Sequence, residues 1–418
     1  MVDSFKQTMK KKVLLKLLSL IICFYLCGCT NKQQILSNSN PEKFLSFDWS
    51  SLKDKVHTIK LSELMESIEI VKLDNSTKDA YTGIFKLEIS DNYLVTSCPG
   101  GTPVKLFNRK NGHFIKNIGK RGQGPGEYYT IWNIMIDEER NRIHLGEPFS
   151  NEIYTYDMNG EYHAEESIFL PKGLENKYAI YIQKEENKAV VLNTPCTDYD
   201  KRNIKIKGQT NTCWIQDLKG NILDSIPFNN ALSLPQGSSN TWASHVNKKT
   251  PIYSFALCPV LYERPDTLYH YNSQTNQLYP VYTPNTETAL HIFTTSVETS
   301  AHYYTIQGFY KKGCGINPEY LEEWKIVQVE KETSKGKYIR LVNDLLGDIE
   351  IVSYDFFQNI KDNYTFIIYH PLDLKEQLEE ALETNTDMSD EIRNRVLTMK
   401  NSLNENDNDI LVICKFKQ

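Results

Sequence analysis

The sequence predicts an all-β protein, a six-bladed β-propeller with a small helical insert in its last blade. Three observations point there. The 418-residue chain is rich in side chains that fill sheets, with 25 Tyr and 17 Phe. Short runs of alternating apolar and polar residues are separated by Asn-Gly and Asp-Asn pairs. A four-strand pattern also returns: Leu87 to Ile134 is 47 residues, and Ile134 to Ile180 is 46. That spacing lies in the range of propeller blades.

In the first unit Phe85, Leu87 and Ile89 alternate with polar residues, Asp91-Asn92 turns the chain, and Leu94-Val95 returns. Residues 104–115 then form a hairpin about Asn111-Gly112, a pair that accepts positive φ at both central turn positions. Residues 134–145 and 153–162 repeat these two hairpins. Residues 180–192, turning at Glu186-Asn187, and residues 213–222 repeat them again. Three less regular units follow, at 257–282, at 292–329, and at 355–369 completed by 410–416. Residues 68–73 are expected to pair with 410–416 and close the ring, leaving only short protected sheet edges.

One stretch breaks the strand pattern. Leu374, Leu378, Ala381 and Leu382, then Ile392, Val396, Leu397, Met399 and Leu403, recur at helical spacing. Asp387 and Ser389 are available to cap the second run. This insert, about residues 372–403, falls between the last two strands of the final blade. Its apolar face either packs onto that blade or meets a partner.

The N-terminus carries Lys10, Lys11, Lys12 and Lys16, an apolar run from Val13 to Leu26, and then Cys27-Gly28-Cys29. A basic start, a short apolar stretch and a small residue before the cut make a secretory signal. The run is short for a membrane span. With Leu at −3, Gly at −1 and Cys at +1, it resembles a bacterial lipoprotein signal. The likeness implies a signal peptide at 1–28, cleavage before Cys29 and lipidation of the Cys29 thiol. A tether at 29–45, polar and rich in Asn, Gln and Ser, would then lead into a propeller at 46–418. Loss of residues 1–28 takes away five Lys and one Asp, so 42 basic and 52 acidic residues leave a net charge of −10. Such a surface argues against nucleic acid and against polybasic adhesion to anionic lipid. Acyl chains would hold the protein to the membrane. Thr30 after Cys29 favours the outer membrane, with the periplasmic or surface face left open. Six further cysteines, Cys98, Cys196, Cys213, Cys258, Cys314 and Cys414, lie at long irregular spacings without a C-x-x-C pair. They are expected to be mostly buried free thiols.

The stretch Ile118-Gly119-Lys120-Arg121-Gly122-Gln123-Gly124-Pro125-Gly126-Glu127-Tyr128 resembles a linker between blades in the six-bladed propeller lipoproteins of gut bacteria, a family related in form to NHL-repeat propellers. The likeness extends to the lipid signal, to Asp266-Thr267-Leu268-Tyr269 and to the insert before the last strand. It implies fold and location, and transfers no catalytic residues. Read physically, the glycines permit a tight crossing from an outer strand to the next inner strand, and Pro125 fixes one φ value. The run is then either a plain interblade turn or a binding surface at the channel mouth, using Arg121, Gln123, Glu127, Tyr128 and Trp132.

Catalytic signatures are sparse. The glycine run lacks the Gly-Lys-Ser/Thr of a P-loop, and no nucleophile elbow or H-E-x-x-H occurs. Asp198-Tyr199-Asp200 and Asn406-Asp407-Asn408-Asp409 read as solvated turns rather than calcium loops. Nine His are scattered; His144 and His302 fall on candidate strands. Trp132, Tyr154, Tyr156 and Trp214 read as packing between blades. No cofactor or metal is expected. The sequence therefore points to an exported, lipid-anchored binding or interaction module at the cell envelope that performs no covalent chemistry. Its partners would be the membrane, through its acyl chains, and an envelope protein or small ligand. The alternative is an exported propeller enzyme, a lyase or a lactone or ester hydrolase, with a metal in the central channel.

Overall fold

The computed structural model describes residues 44–417 apart from 99–101, 149, 173–177, 184–185, 194–195, 201–202, 208–210, 228–240, 246–249, 258–266, 288, 290, 314–317, 352–355 and 358. Cys29, the signal and most of the tether lie outside the described residues. Six sheets follow one another as the blades of a propeller. Blade 1 runs from its inner strand Lys86–Ile89 through Tyr93–Ser97 and Val104–Asn108 to the outer strand Phe114–Ile118. Blade 2 is Asn133–Asp137, Arg142–Gly146, Glu152–Asp157 and Ile168–Phe169, and blade 3 is Tyr178–Gln183, Lys188–Asn193, Asn211–Asp217 and Ile222–Pro227. Blade 4 is Thr241–His245, Ile252–Leu257, Leu268–Asn272 and Gln277–Asn285; blade 5 is Ile292–Glu298, His302–Tyr310, Leu321–Glu330 and Gly336–Asn343. In blade 6, Tyr364–Tyr369 and Ile410–Phe416 are joined by Met65–Lys72 from the start of the chain. Before that closure the chain adds Leu45–Asp48 parallel to the outer strand of blade 4, and Val56–Lys60 parallel to that of blade 5. Both strands cover edges that would otherwise be open for pairing.

The apolar core lies between blades. One cluster joins Val104, Leu106 and Tyr128 to Ile134, Ile143 and Tyr156 across blades 1 and 2. Others fill the remaining five interfaces. A middle strand therefore buries both faces and reads as an unbroken apolar run. In the closing blade Ile410, Val412 and Cys414 face blade 5, while Leu411 and Ile413 face blade 1. Ala189 and Val191 face blade 2, while Val190 and Leu192 face blade 4.

The turn between third and fourth strands recurs with one chemistry. Asn108, Asp157, Asp217 and Asn272 each accept, on Oδ1, the N–H two residues on, at 3.0, 2.8, 2.9 and 3.0 Å. Each turn then places a residue at positive φ: Gly112, Gly160, Gly220 and Asn276. That residue docks on the preceding blade. A Cβ on Gly112 would stand 2.0 Å from the Lys72 carbonyl, and one on Gly160 would stand 2.8 Å from that of Asn117. Asn276 donates to Asp224 Oδ1 of blade 3 at 2.5 Å. Asn111 is not at positive φ, so the expected two-residue turn at Asn111-Gly112 is instead a longer turn capped by Asn108.

Other expectations are corrected. The fourth strand of blade 2 comes at Ile168–Phe169; Tyr162 makes only an isolated bridge and packs against Gly126. A hairpin, Cys196–Asp200 and Asn203–Lys207, is inserted in blade 3, so Asp198 to Asp200 is strand rather than turn. The inner strand of blade 4 and the outer strand of blade 5 had no clear sequence pattern, and Phe356 and Phe357 sit in helical backbone. Asn406 and Asp407 do lie in a turn open to solvent, but Asn408 and Asp409 after them are buried. Asn408 donates to the carbonyls of Asp74 and Ala80 at 2.7 and 2.9 Å and accepts from Thr82 N–H at 2.9 Å. The insert helices are Pro371–Thr384 and Asp390–Ser402. Ser389 caps the second, accepting from Ile392 N–H. Leu374, Leu378, Ala381 and Val396 pack into the blade 5–6 core, so the insert's apolar face is spent on the propeller itself. Cys213 and Cys414 are buried free thiols, and Cys98 is half-buried. Among the described residues no helix is long and apolar enough to cross a membrane.

Between blades 4 and 5 a buried network joins His270, Glu298 and Lys331. His270 Nε2 lies 2.5 Å from Glu298 Oε1, and Lys331 Nζ bonds the other oxygen. Burial pushes the Glu298 carboxyl up, but the Lys331 and His270 charges outweigh it and hold the pKa at about 2.

Two outcomes follow. Gly112→Ala and Gly313→Ala both place a side chain at positive φ, but the space around Gly313 is open. The Gly313 variant should lose about 1–2 kcal/mol and the Gly112 variant about 3 kcal/mol or more in denaturant unfolding; equal losses would mean that the contact with Lys72 is unimportant. Glu298→Gln should lose about 3 kcal/mol at pH 7. Because the folded pKa is depressed, this stability is present above the ordinary value of about 4.3 and is lost as the pH falls through about 2. The difference in melting temperature between wild type and variant should therefore shrink on acidification, and a constant difference from pH 7 to pH 2 would contradict it.

Candidate functional site

The crossover from blade 1 to blade 2 runs from Ile118, at the end of an outer strand, to Asn133, at the start of an inner one. Its two limbs, Lys120–Arg121 and Glu127–Tyr128, pair as a short parallel ladder. Glu127 folds back into the loop: it accepts from Gly124 N–H at 2.9 Å and meets Lys120 Nζ at 2.9 Å. The Gly124 N–H first, then Lys120, lower its pKa. A Cβ on Gly122 would fall 1.8 Å from that carboxylate, which is why the position is glycine. Tyr128 turns inward. Its hydroxyl donates to the Ile118 carbonyl and accepts from Val104 N–H at 2.8 Å, and burial pushes its pKa up. Tyr156 of blade 2 donates to the Gly126 carbonyl and meets Tyr128 edge-on.

Of the remaining candidates, Arg121 and Gln123 are exposed and Trp132 is half-buried. Arg121 lies over the Tyr129 ring at 5.2 Å, and Gln123 donates to the Tyr129 hydroxyl at 3.0 Å. Tyr129 is 48% exposed. Glu147 fixes the backbone beneath it, accepting from the N–H groups of Tyr129 and Thr130 at 2.6 and 3.1 Å. Trp132 N–H donates to the Gly146 carbonyl, and Phe85 N–H to that of Ser97, so both extend inner strands at their N-terminal ends. Their rings meet edge to face at 5.2 Å. The five candidate residues thus divide. Glu127 and Tyr128 hold the loop, Arg121 and Gln123 lie exposed with Tyr129, and Trp132, half-buried, meets Phe85 at the start of the inner strands. Sequence reading missed Tyr129 and Phe85 as site residues. Their signal was only that an aromatic stands just ahead of or within an inner-strand pattern.

Deeper in the channel a cavity of about 150 Å³ is lined by Glu88 and Ile89 of blade 1, Ala243 of blade 4, and Asn359, Lys361 and Asp362 of blade 6. Lys361 Nζ sits 2.7 Å from each Glu88 oxygen. Burial opposes its charge, yet Glu88 and Asp362 outweigh this and raise its pKa. His144 is buried against Thr155 at 2.9 Å, and His302 is half-buried, with burial lowering its pKa. Trp214 and Tyr156 are buried in the interblade cores, as packing requires, with Tyr154 against the second of them. His163, Glu165 and Glu166 could converge on a cation. However, Arg142 already holds both Glu166 oxygens at 2.6 Å.

One solved structure supports the fold, and a second stands beside it as a likeness alone. A candidate exported protein from Bacteroides fragilis superposes with a TM-score of 0.58 at 15% identity, over 90% of this chain and all of that one. A member of the DUF4221 family from Bacteroides vulgatus gives a TM-score of 0.48 at 12% identity, over 85% and 97% of the two chains. No curated protein matches the sequence. The family described as "Domain of unknown function (DUF4934)" matches residues 44–415, and the chain belongs to it.

Proposed function

We propose that this protein is an exported, lipid-anchored propeller of NHL-like form, tethered through Cys29 in the outer membrane, that binds an envelope protein or small ligand without covalent chemistry. The observation that carries the binding role is the strip at the channel mouth. Arg121, Gln123 and Tyr129 are exposed on a loop whose other side chains, Glu127 and Tyr128, are fully engaged in holding its shape. A preorganised loop that presents a guanidinium, an amide and an aromatic ring is suited to recognition, because little ordering is left to occur on binding. The anchor rests on the form of the N-terminal sequence. Export is also in keeping with the description of the Bacteroides fragilis structure as that of a candidate exported protein.

Tagged protein crosslinked in native membranes and read by mass spectrometry should bring down one stoichiometric envelope partner. The double variant Arg121→Ala, Tyr129→Ala should reduce that recovery about ten-fold or more. Recovery of the protein alone, or a partner indifferent to the double variant, would count against the binding surface. The anchor is tested apart from it: Cys29→Ala should abolish labelling by a fatty-acid analogue, and persistent labelling would sink lipidation at this residue.

A further inference from the structure

Lys86 opens the inner strand of blade 1, directly after Phe85. Its side chain is open to solvent, yet enough protein surrounds it that desolvation lowers its pKa. That combination is expected of a side chain in a channel. Its ammonium lies 5.2 Å from the centre of the Phe85 ring. Among the described residues it has no carboxylate partner. The nearest acid along the strand is Glu88, and both Glu88 oxygens are taken by Lys361. Of the cations on the neighbouring crossover, Lys120 is paired with Glu127, while Arg121, like Lys86, lies on a ring, that of Tyr129. An exposed ammonium with a ring face beside it and no carboxylate partner among the described residues is open to an anion from solution.

The neighbours of Lys86 define what that anion is. Phe85 and Trp132 offer two rings, edge to face, at the N-terminal ends of adjacent inner strands. We propose that the channel mouth binds an organic monoanion, its carboxylate held by Lys86 and its ring or apolar body lying on the Phe85–Trp132 pair. A single ammonium balances a single negative charge, which favours a carboxylate over a doubly charged phosphate. The rings favour an organic ligand over an inorganic ion. This rests on the reading of the channel mouth as a binding surface, and gives that surface a ligand chemistry.

The test titrates the full chain with two probes of nearly equal shape, 4-fluorobenzoate and neutral 4-fluorobenzamide, followed by fluorine NMR of the probe. Benzoate should bind about ten-fold more tightly than benzamide, as a charge-assisted contact predicts. Lys86→Met should abolish the preference and Lys86→Arg should keep it, while Lys110→Met, on an exposed turn of the same blade, should change nothing. Melting curves of the variants establish that each remains folded. Equal binding of the two probes, binding of neither at millimolar concentration, or a preference that survives in Lys86→Met would overturn the proposal. In any of those cases partner recovery that still depends on Arg121 and Tyr129 would leave the binding role standing, so the two failures are distinguishable.

Discussion

Everything in this molecule depends on one strand pairing. Met65–Lys72 lies along Ile410–Phe416, so the first blade-forming strand of the chain completes the last blade. A propeller has no central core; each blade is held by its two neighbours, and one unclosed gap would expose two apolar sheet faces. The pairing is reinforced from three sides. Arg109 of blade 1 reaches Glu69 of the closing strand at 2.6 and 3.1 Å and lies on the Tyr364 ring of blade 6. Lys72 is ion-paired with Asp407 at 2.5 Å. Asn408 ties the turn before the last strand to the segment leaving the first one. Arg109 and Asn408, buried and satisfied in this way, add direction to a contact that apolar burial alone would leave free to slide.

The same logic explains how the ring keeps its spacing. In blades 1 to 4 the turn between third and fourth strands places a residue of positive φ against the outer strand of the blade before it. A side chain at Gly112 would push on the backbone of the closing strand itself. Blade 5 differs: the residue of positive φ in its turn is Ser334, and the close approach to the neighbour comes at Gly336, which leaves room for the Phe47 ring on the strand added to blade 4. The N-terminal segment is therefore a belt over blades 4, 5 and 6 before it becomes the closure.

Much of this was legible in the sequence, for identifiable reasons. Blades 1 to 3 announced themselves because their strands alternate and their turns carry Asn-Gly or Lys-Gly-Asn. Closure was legible because residues 410–414 form an apolar run that only a strand buried on both faces explains. The inner strand of blade 4 was not legible, since Thr241-Trp-Ala-Ser-His245 has no alternation to mark it. The Asn408 latch was hidden for a different reason. A row of Asn and Asp is the composition of a solvated turn, and only the approach of residues 74–82, more than 300 positions away, buries Asn408 at its end. The candidate site was half legible. The glycine loop stood out, but nothing local shows that Glu127 and Tyr128 would be consumed in shaping it, or that Lys86 would have no carboxylate partner among the described residues.

The closure is tested most directly by hydrogen exchange of the intact chain, read by mass spectrometry on peptides covering residues 65–72 and 410–416. If the pairing holds the ring, these amides should be among the slowest and should exchange only with the global unfolding seen in the middle strands of blades 1 to 3. Rapid exchange of residues 65–72 while those middle strands stay protected would show a ring that stands without its closing strand, and would contradict the account.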